Sequence, residues 1–549
     1  MHLLRFKFHL FPLRFLAFLS LWLGLWVPSL SFAQQQASGT ENTGPPEPRL
    51  VVFLVVDQLR GDLLDRYSSA FSGGLKRILE EGLSFTNALH NHAATETSPG
   101  HAALSTGVHP ARAGIPSNAW RDGAGRGAPP VYNVTDPDHG LVGVSGLPGS
   151  SPAALQRTGL ADWVLDADRE AMVISISGKD RAAVLMAGKT RGNVYWFNST
   201  VGRFVTSTFY RKRNPSWLVN FNEQVLESYR ADSVWNSTVP PELSHLSAPD
   251  TADFEGDGVH TFFPHRFAEE RIDPGMDDFF IWFEKTPMLD DATLALARIA
   301  LKETGAGSRE GRTDFLSVSL SQTDRVGHEF GPLSREQMDN LLRMDASLGR
   351  FLDFLDASVG PENYLLGLTA DHGVMTVPER MNQPGVRLGT EDRSRLEGAL
   401  GQGVRQAHRN GPGSMAPFVL EALEELDFVG PAFSHEELRA QEGNDSLSVL
   451  FRHSFVPDRP GGLLSPYGVE MWWAENTVAW NFPTGTTHGS PFHYDRWVPL
   501  VLMGPGIQAG REGRPVMPLS LAPTLAWLAG IPYPEDLDGE PLVREGGGI

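Results

Sequence analysis

The chain has 549 residues, 41% of them hydrophobic, with a formal net charge of -20 and no cysteine. The absence of cysteine excludes disulfides, thiolate metal sites and a cysteine nucleophile. The acidic balance argues against binding of nucleic-acid polymers, because their backbones are held by clustered Lys and Arg side chains.

The amino terminus has the features of a secretory signal. Three basic residues precede an apolar run at 15–27, and Ser31-Phe-Ala33 follows. The run is short for a membrane span of ~20 residues, and small residues of this kind favour cleavage. We therefore expect a signal peptide at 1–33, export to a bacterial periplasm or medium, and no membrane association after its removal.

The remainder of the chain is expected to form one large domain. Residues 34–48 are polar and predict a disordered linker. Residues 49–549 are numerous enough to bury a large core. Within them, the stretches at about 191–275 and 378–480 lack a clear hydrophobic period and predict insertions that cap the domain.

Strand-like and helix-like segments follow one another and predict an α/β fold with a mostly parallel sheet. The region 121–151 is rich in Gly, Pro and Asp and predicts a long surface loop. The predicted strands are at 51–56, 83–85, 171–177, 315–320, 364–368 and 498–503, and the predicted helices at 74–79, 159–168 and 519–528.

Three of the predicted strands lead into an aspartate. Asp57 follows the first, Asp324 comes shortly after the strand at 315–320, and Asp371 follows the strand at 364–368. A carboxylate at the end of a buried strand is costly without a cationic partner, and such strand ends are where open α/β sheets bind ligands. The repeated arrangement predicts a metal site.

Histidines stand close to these aspartates along the chain. His328 is four residues after Asp324, so the two share one face of a helical turn, and His372 directly follows Asp371. A further histidine, His488, lies in a Gly-Thr-Thr-His-Gly segment. Six Asp and His side chains suit two zinc ions, although manganese and iron accept the same ligands.

Thr97 is a candidate nucleophile. The segment Pro99-Gly-His-Ala-Ala-Leu predicts a helix that begins at Pro99, directly after Thr97 and Ser98. A threonine there can simply cap the helix, but helix N-termini also bind anions, so the position suits attack on a phosphate.

Basic residues follow the strand predicted at 171–177. Lys179 and Arg181 are separated by one residue, so in an extended segment they point to the same side. Alone, they would be ordinary solvated charges, and Asn118 an ordinary turn residue.

Together these motifs resemble the alkaline phosphatase superfamily, and most closely its bacterial exported alkaline phosphatases with a threonine nucleophile. They occur in order from about residue 50 to 490, and the stretches 191–275 and 378–480 contain none of them. The motifs are Val-Val-Asp57-Gln-Leu-Arg, Thr97-Ser-Pro-Gly-His-Ala-Ala-Leu-Ser-Thr-Gly, Gly114-Ile-Pro-Ser-Asn118-Ala-Trp120, Ser-Gly-Lys179-Asp-Arg181, Thr323-Asp324-Arg-Val-Gly-His328, Ala370-Asp371-His372-Gly373 and Gly-Thr-Thr-His488-Gly-Ser.

The resemblance implies a three-layer sandwich, with a central sheet flanked by helices and carrying cap insertions. It implies an alkaline phosphatase that releases phosphate from a broad range of small phosphate monoesters through a phosphothreonine intermediate. It also implies two zinc ions per chain. The implied residue roles are Asp324, His328 and His488 on one ion, Asp57, Asp371 and His372 on the other, Thr97 as nucleophile and bridging ligand toward the second ion, and Asn118, Lys179 and Arg181 on the phosphoryl oxygens.

Three other protein classes are compared with the predicted alkaline phosphatase. Sulfatases share part of the Thr97 segment, but they need a modifiable Cys or Ser where Thr97 stands and an Arg where His101 stands. Phosphodiesterases and nucleotide pyrophosphatases of the same superfamily are the second choice, since the Lys179 and Arg181 pair favours a dianionic monoester. A non-catalytic metal-binding protein is the third. The sequence does not indicate the oligomeric state, and a monomer is the default.

Overall fold

The structure is a computed structural model that describes residues 47–121, 130–256, 258, 260–269, 278–381, 385–440 and 445–543. The predicted signal peptide at 1–33, and the predicted linker at 34–48 except for its last two residues, lie outside the described residues. Across the described ranges, no helix combines the length and the apolar character needed to cross a bilayer.

The strands of the described residues are mostly short, and the longest ones form the centre of the fold. They are β1 (Leu50–Val56), β2 (Leu83–Leu89), β3 (Ala119–Trp120), β4 (Val131–Tyr132), β5 (Thr135–Gly140), β6 (Pro148–Ser150), β7 (Val173–Ser177), β8 (Asn193–Asn198), β9 (Arg203–Val205), β10 (Val234–Trp235), β11 (His265–Arg266), β12 (Asp314–Leu320), β13 (Tyr364–Thr369), β14 (Val386–Arg387), β15 (Val429–Ser434), β16 (Val469–Trp473), β17 (Thr477–Val478), β18 (Trp497–Met503) and β19 (Gly510–Glu512).

The helices of the described residues surround these strands. They are α1 (Leu63–Tyr67), α2 (Gly74–Glu81), α3 (Thr97–Thr106), α4 (Pro110–Ala113), α5 (Leu160–Ala167), α6 (Asp180–Met186), α7 (Ser216–Asn220), α8 (Asp278–Phe283), α9 (Met288–Thr304), α10 (Gln322–Phe330), α11 (Arg335–Ser358), α12 (Thr390–Arg409), α13 (Ala416–Leu423), α14 (His435–Ala440), α15 (Ser446–Ser454), α16 (His493–Arg496) and α17 (Leu521–Leu528).

The main sheet has nine strands in the order β19-β2-β18-β13-β1-β12-β7-β8-β9. The pairings within the run from β13 to β8 are all parallel, whereas β18 and β9 are antiparallel to their neighbours. The expected mostly parallel α/β sheet is therefore confirmed.

Side chains of β1 alternate between two hydrophobic cores, one on each face of the sheet. Val52, Leu54 and Val56 pack with α2, α9 and α11, whereas Val51, Phe53 and Val55 pack with α5 and α17. All seven residues of β1 are buried, which explains the continuous apolar run, since parallel strands are covered on both faces. Each such side chain contributes roughly 1.5 to 3 kcal/mol by its burial. The three-layer arrangement is thus present.

The two regions predicted as insertions differ in structure. The region 191–275 begins with β8 and β9, which extend the edge of the main sheet and are part of the central layer. The region 378–480 has hydrophobic cores of its own, built by α12, α13, β15, β16 and α15. We call residues 385–440 and 445–480 the cap.

The region 121–151 differs from the predicted surface loop. In its described part, β4 pairs with β3, which lies just before the region, and β5 pairs with β6. Val134 and Leu141 are buried in a hydrophobic cluster with Trp120 and Tyr210. The few apolar residues of this region therefore anchor it, although its composition resembles that of a loop.

Candidate active site

Four neighbouring strands bring the predicted metal ligands and a lysine to one edge of the sheet. In sheet order, β13 leads to Asp371, β1 to Asp57, β12 to Asp324 and β7 to Lys179. Because these strands are parallel, their carboxyl ends lie at the same edge. Asp57 and Asp371 are fully buried and Asp324 is 5% exposed. Three buried carboxylates so close together require cationic partners.

Asp57, Asp371 and His372 form the first group of metal-ligating side chains. One ligand atom from each lies within 4.8 Å of the other two, and Nε2 of His372 is 3.5 Å from both Asp57 Oδ1 and Asp371 Oδ2. Asp57 Oδ1 and His372 Nε2 are buried and accept no hydrogen bond from the described residues, and Asp371 Oδ2 lies 3.1 Å from Nδ1 of His101. Lone pairs that face one another without a proton between them fit a metal cation.

Asp324, His328 and His488 form the second group. Nε2 of each histidine lies 3.3 Å from Asp324 Oδ1. The rings of His488 and His372 stack with their centroids 3.7 Å apart, so Asp324, His372 and His488 also offer ligand atoms within 4.8 Å of one another. The structure therefore brings all six predicted Asp and His side chains together, and it places His372 between the two groups.

The three histidine rings are all oriented by backbone carbonyls. A carbonyl oxygen only accepts, so Nδ1 of each ring carries the hydrogen and Nε2 keeps the lone pair that a metal needs. The Nδ1 atoms of His328, His372 and His488 donate to the carbonyl oxygens of Thr486, Gly373 and Thr95, at 2.9, 3.0 and 2.7 Å respectively.

Lys179 brings a positive charge into the site. Its Nζ lies 2.7 Å from Asp57 Oδ2 and 2.5 Å from Asp324 Oδ2. Although burial opposes it, the contact with Lys179 holds the pKa of Asp324 well below its ordinary range. Burial and then the charge of Asp371 raise the pKa of Asp57 to about 7, and Lys179 offsets this only in part. The single positive charge of Lys179 cannot balance three carboxylates. The site therefore fits additional cations.

Thr97 is the first residue of α3, and Glu96 is the N-cap. The expectation that the helix begins at Pro99 was wrong, because the first turn already includes Thr97 and Ser98. The Glu96 side chain makes no capping bond, and the Thr97 hydroxyl lies 3.4 Å from Nη2 of Arg181. A hydroxyl at the start of a helix also lies near the free N–H groups of the first turn.

Gly100 allows α3 to approach the strand end that leads to Asp371. A Cβ atom at Gly100 would lie 2.4 Å from the carbonyl oxygen of Asp371. This contact is shorter than any ordinary packing distance, so only glycine fits. The absence of a side chain thereby sets the distance between the helix with Thr97 and the metal-ligating carboxylates.

Arg181 is held by Tyr132, a residue that the sequence did not single out. The Tyr132 hydroxyl donates to Asp180 Oδ1 at 2.6 Å and accepts from Arg181 Nη1 at 3.2 Å. These two bonds fix the guanidinium group so that its other nitrogen reaches Thr97. Tyr132 lies in the region predicted as a loop, and no pattern along the chain connects it with Arg181.

Asn118 is fixed against the first turn of α3. Its backbone N–H donates to Glu96 Oε2 at 2.7 Å, and its Oδ1 accepts from the Ser98 N–H at 3.0 Å. Nδ2 of Asn133 donates to the Asn118 carbonyl oxygen at 2.9 Å. The amide of Asn118 is therefore placed beside the helix start that carries Thr97.

Gln58 connects the two metal-ligating groups. Its backbone N–H donates to Asp371 Oδ1 at 3.1 Å, and its Nε2 donates to Asp324 Oδ1 at 2.9 Å. Its φ is 66°, a left-handed conformation that non-glycine residues rarely adopt. Such strain is typical of functional sites. Along the chain, only the position of Gln58 directly after Asp57 hints at this role.

His101 connects α3 with the edge of the sheet that carries the aspartates. Its Nδ1 lies 2.8 Å from the carbonyl oxygen of Thr97 and 3.1 Å from Asp371 Oδ2, and its Nε2 lies 2.8 Å from Ser319 Oγ. Both neighbours of Nδ1 are acceptors, so Nδ1 carries the hydrogen and the Ser319 hydroxyl donates to Nε2. His101 therefore orients groups on either side of it.

The cap contacts the segment that leads to Thr97 through α15. The backbone N–H groups of Ala93 and Ala94 both donate to Ser454 Oγ at 2.9 Å. His453 Nδ1 lies 2.6 Å from the carbonyl oxygen of Asn91, and the His453 ring stacks on His109 with centroids 3.7 Å apart. The cap thereby helps to fix the segment that precedes Thr97.

Comparisons with known proteins agree with this geometry. The sequence model of the type I phosphodiesterase / nucleotide pyrophosphatase family matches residues 51–398. The chain is 32% identical to alkaline phosphatase PhoV of Synechococcus elongatus over 515 residues, which cover 90% of this chain and 92% of that protein. It is 30% identical to alkaline phosphatase PafA of Elizabethkingia meningoseptica over 558 residues, which cover 94% of this chain and 98% of that protein. The crystal structure of wild-type alkaline phosphatase PafA is similar with a TM-score of 0.81 at 29% identity, over 91% of this chain and 99% of that one.

Proposed function

We propose that this member of the type I phosphodiesterase / nucleotide pyrophosphatase family is a zinc-dependent alkaline phosphatase with Thr97 as nucleophile. Its similarity to alkaline phosphatases supports a phosphoric monoester hydrolase. We propose that its substrates are small phosphate monoesters of broad range. The observation that carries this proposal is the position of the Thr97 hydroxyl, 3.4 Å from Arg181 and beside two groups of Asp and His ligands.

The six Asp and His side chains fit a pair of divalent cations. Their carboxylate oxygens and Nε2 lone pairs converge, and in the first group Asp57 Oδ1 and His372 Nε2 are buried acceptors without a hydrogen. Carboxylate ligands together with imidazole ligands oriented by backbone carbonyls are typical of catalytic zinc sites. Two zinc ions held there would supply positive charge for the phosphoryl oxygens and for the attacking and leaving oxygens.

The basic and amide side chains are the proposed hydrogen-bond donors to the phosphoryl oxygens. Phosphoryl transfer spreads negative charge over the nonbridging oxygens, so donors aimed at these oxygens stabilise the transition state. Arg181 already contacts the Thr97 hydroxyl. Lys179 contacts the carboxylate of Asp57. Because Oδ1 of Asn118 accepts from Ser98, its Nδ2 remains as a donor for a phosphoryl oxygen.

The reaction consists of two displacements at phosphorus. In the first, Oγ1 of Thr97 forms a bond to phosphorus while the bond to the alcohol oxygen breaks, which gives a phosphothreonine and the free alcohol. In the second, a water oxygen attacks the same phosphorus, and Thr97 leaves as its hydroxyl while inorganic phosphate is released. Arg181 and Asn118 contact the phosphoryl group in both steps.

One assay tests the proposal against its alternatives. Purified protein supplied with zinc is offered 4-nitrophenyl phosphate, bis(4-nitrophenyl) phosphate and 4-nitrophenyl sulfate. We expect the highest kcat/KM for the monoester. A preference for the diester would instead assign the phosphodiesterase activity that the family model names, and no turnover of any ester would favour a metal-binding protein without catalysis.

Export is part of the proposal. The amino-terminal segment predicts removal of residues 1–33, so the mature chain would begin at Gln34. Amino-terminal sequencing of the protein purified from the periplasm of an expressing bacterium tests this, and recovery of Met1 from that fraction would contradict it.

A further inference from the structure

A largely apolar cavity of about 210 Å³ lies between the cap and the segment that carries Thr97. We call it the cap cavity. Three of its lining residues are sequence neighbours of proposed active-site residues: Glu96 precedes Thr97, Ser117 precedes Asn118, and Gly489 follows His488. The cavity therefore adjoins the chain segments that carry the proposed nucleophile, a proposed phosphate-binding residue and a proposed metal ligand.

The wall of the cap cavity that faces these residues is aromatic. Phe451 and Phe455 come from the end of α15 and the residue after it, and Met471 and Trp472 come from β16. Trp472 also covers the residue after His488, since a Cβ atom at Gly489 would lie 2.7 Å from its ring. A cavity of 150 Å³ lined by apolar side chains holds benzene. The cap cavity is therefore large enough for one aromatic ring with a short substituent.

The charged residues that line the cap cavity have one sign. Glu96 and Glu470 are the charged residues among its described lining, which contains no Lys, Arg or His. Glu470 accepts hydrogen bonds from Ser465 Oγ at 2.6 Å and from His435 Nε2 at 2.9 Å, so its carboxylate is held in place. A leaving group that carried a second negative charge would meet these carboxylates and be repelled.

We propose that the cap cavity binds the alcohol portion of the substrate and selects apolar leaving groups without a negative charge, aryl-bearing alcohols above all. This inference rests on the proposed function, since the phosphoryl group must be at Thr97 for its alcohol portion to enter the cavity. It gives the cap a role in substrate selection. The metal ligands and phosphate-binding residues do not discriminate between different alcohols.

The test uses esters of primary alcohols, which differ little in intrinsic reactivity: ethyl phosphate, 2-phenylethyl phosphate and 2-(4-carboxyphenyl)ethyl phosphate. We expect kcat/KM for the phenylethyl ester to exceed that for the ethyl ester by about 10-fold or more, because the ring is buried. The carboxylate derivative is expected to lose most of this advantage.

Two variants test whether the preference for the phenylethyl ester arises in the cap cavity. Leu463 lines the mouth of the cap cavity and is 57% exposed, so Leu463→Glu adds a charge there without disturbing a core. It should remove most of the phenylethyl preference and leave ethyl phosphate unchanged. Val386 is also an exposed apolar residue of the cap, 47% accessible, but it does not line the cavity. Val386→Glu is the matched control and should behave as wild type.

The outcomes separate this inference from the proposed function. Equal kcat/KM for the ethyl and phenylethyl esters, in wild type and in Leu463→Glu, would overturn the cavity assignment while the phosphatase assignment stands. A carboxylate derivative as good as the neutral ester would overturn the charge selection. Failure to hydrolyse 4-nitrophenyl phosphate as well as all three alkyl esters would overturn the proposed function itself, and with it this inference.

Discussion

The ammonium nitrogen of Lys179 lies 2.7 Å from Oδ2 of Asp57, and both side chains are almost completely buried. The same nitrogen reaches Asp324, so a single lysine contacts carboxylates from both metal-ligating groups. The proposed phosphate binding and the charge balance at the sheet edge are therefore connected through Lys179. We expect removal of this side chain to affect both properties.

Lys179→Ala is expected to lower kcat/KM for 4-nitrophenyl phosphate by about 100-fold, because a charge donor to the phosphoryl oxygens is lost. In the presence of chelator, it should also lower the free energy of unfolding by about 3 kcal/mol or more, since two buried carboxylates lose their partner. Urea unfolding measures the second effect. Lys189→Ala removes an exposed lysine nearby and is the control. An equal loss of monoester and diester activity would contradict phosphate binding by Lys179.

Thr97→Ala is expected to lower monoester hydrolysis by roughly 10⁴-fold or more, because no hydroxyl remains to form the phosphoenzyme. Zinc content should stay close to that of wild type, since the Asp and His ligands are intact. Thr97→Ser keeps a hydroxyl and should retain part of the activity. Metal analysis and acid-quench labelling with a phosphorus-labelled substrate measure the two effects, and a labelled Thr97→Ala protein would assign the nucleophile elsewhere.

Tyr132→Phe is expected to lower kcat/KM for monoesters by about 10-fold, which corresponds to one hydrogen bond to the arginine. Arg181 would keep its charge but lose the contact that orients it. The Tyr210 hydroxyl is buried without a hydrogen-bond partner among the described residues, so Tyr210→Phe is the matched control and should retain full activity. If diester hydrolysis falls as much as monoester hydrolysis, Tyr132 acts on the fold and not on Arg181.

Removal of metal by excess chelator is expected to abolish activity and lower the Tm, because binding of metal to the folded state alone stabilises that state. A ligand present at 1,000 times its Kd contributes about 4 kcal/mol. Addition of zinc should restore activity and Tm together, and chelator saturated with zinc beforehand should have no effect. Full activity in a preparation that contains no metal by elemental analysis would exclude the metal site.

The contribution of His109 to the stability of the metal-free protein is expected to fall as the pH decreases from about 6.5 to about 4. Burial, and next the neighbouring His453, lower the pKa of His109 from 6.5 to about 4; Asp538 opposes the shift and Arg112 adds to it. In that window the unfolded chain binds the proton and the folded chain does not, so acid favours unfolding. His109→Phe keeps a stacked ring without a titrating group and should have a flatter pH profile in urea unfolding. An unchanged slope would contradict this account.

The strand ends could be predicted from sequence because they depend on local pattern. Apolar runs that end in Asp57 and Asp371 identify buried strands with a carboxylate at the edge, and the structure shifts their bounds by only a residue. The parallel sheet then brings these ends together without further information. Asp324 and His328 were also predictable, since helical spacing places them on one face.

Tyr132 and Gln58 could not be predicted in the same way. Tyr132 reaches Arg181 only because a short strand from a region of loop-like composition lies against α6, and the contact depends on tertiary packing. Gln58 acts through a left-handed backbone that no residue preference suggests. The start of α3 at Thr97 was missed because Pro99 is typical of a first helical turn, and two residues before it also adopt helical geometry.

The hydrogen bond between His488 and the carbonyl oxygen of Thr95 joins residues that are 393 positions apart in the chain. His488 is the last of the proposed ligands to be synthesised, and it cannot be oriented until the segment before Thr97 is already in place. Closing a loop of this length costs conformational entropy before the contact can form. The complete set of proposed ligands therefore requires nearly the whole chain, and we expect tight metal binding only in the fully folded protein.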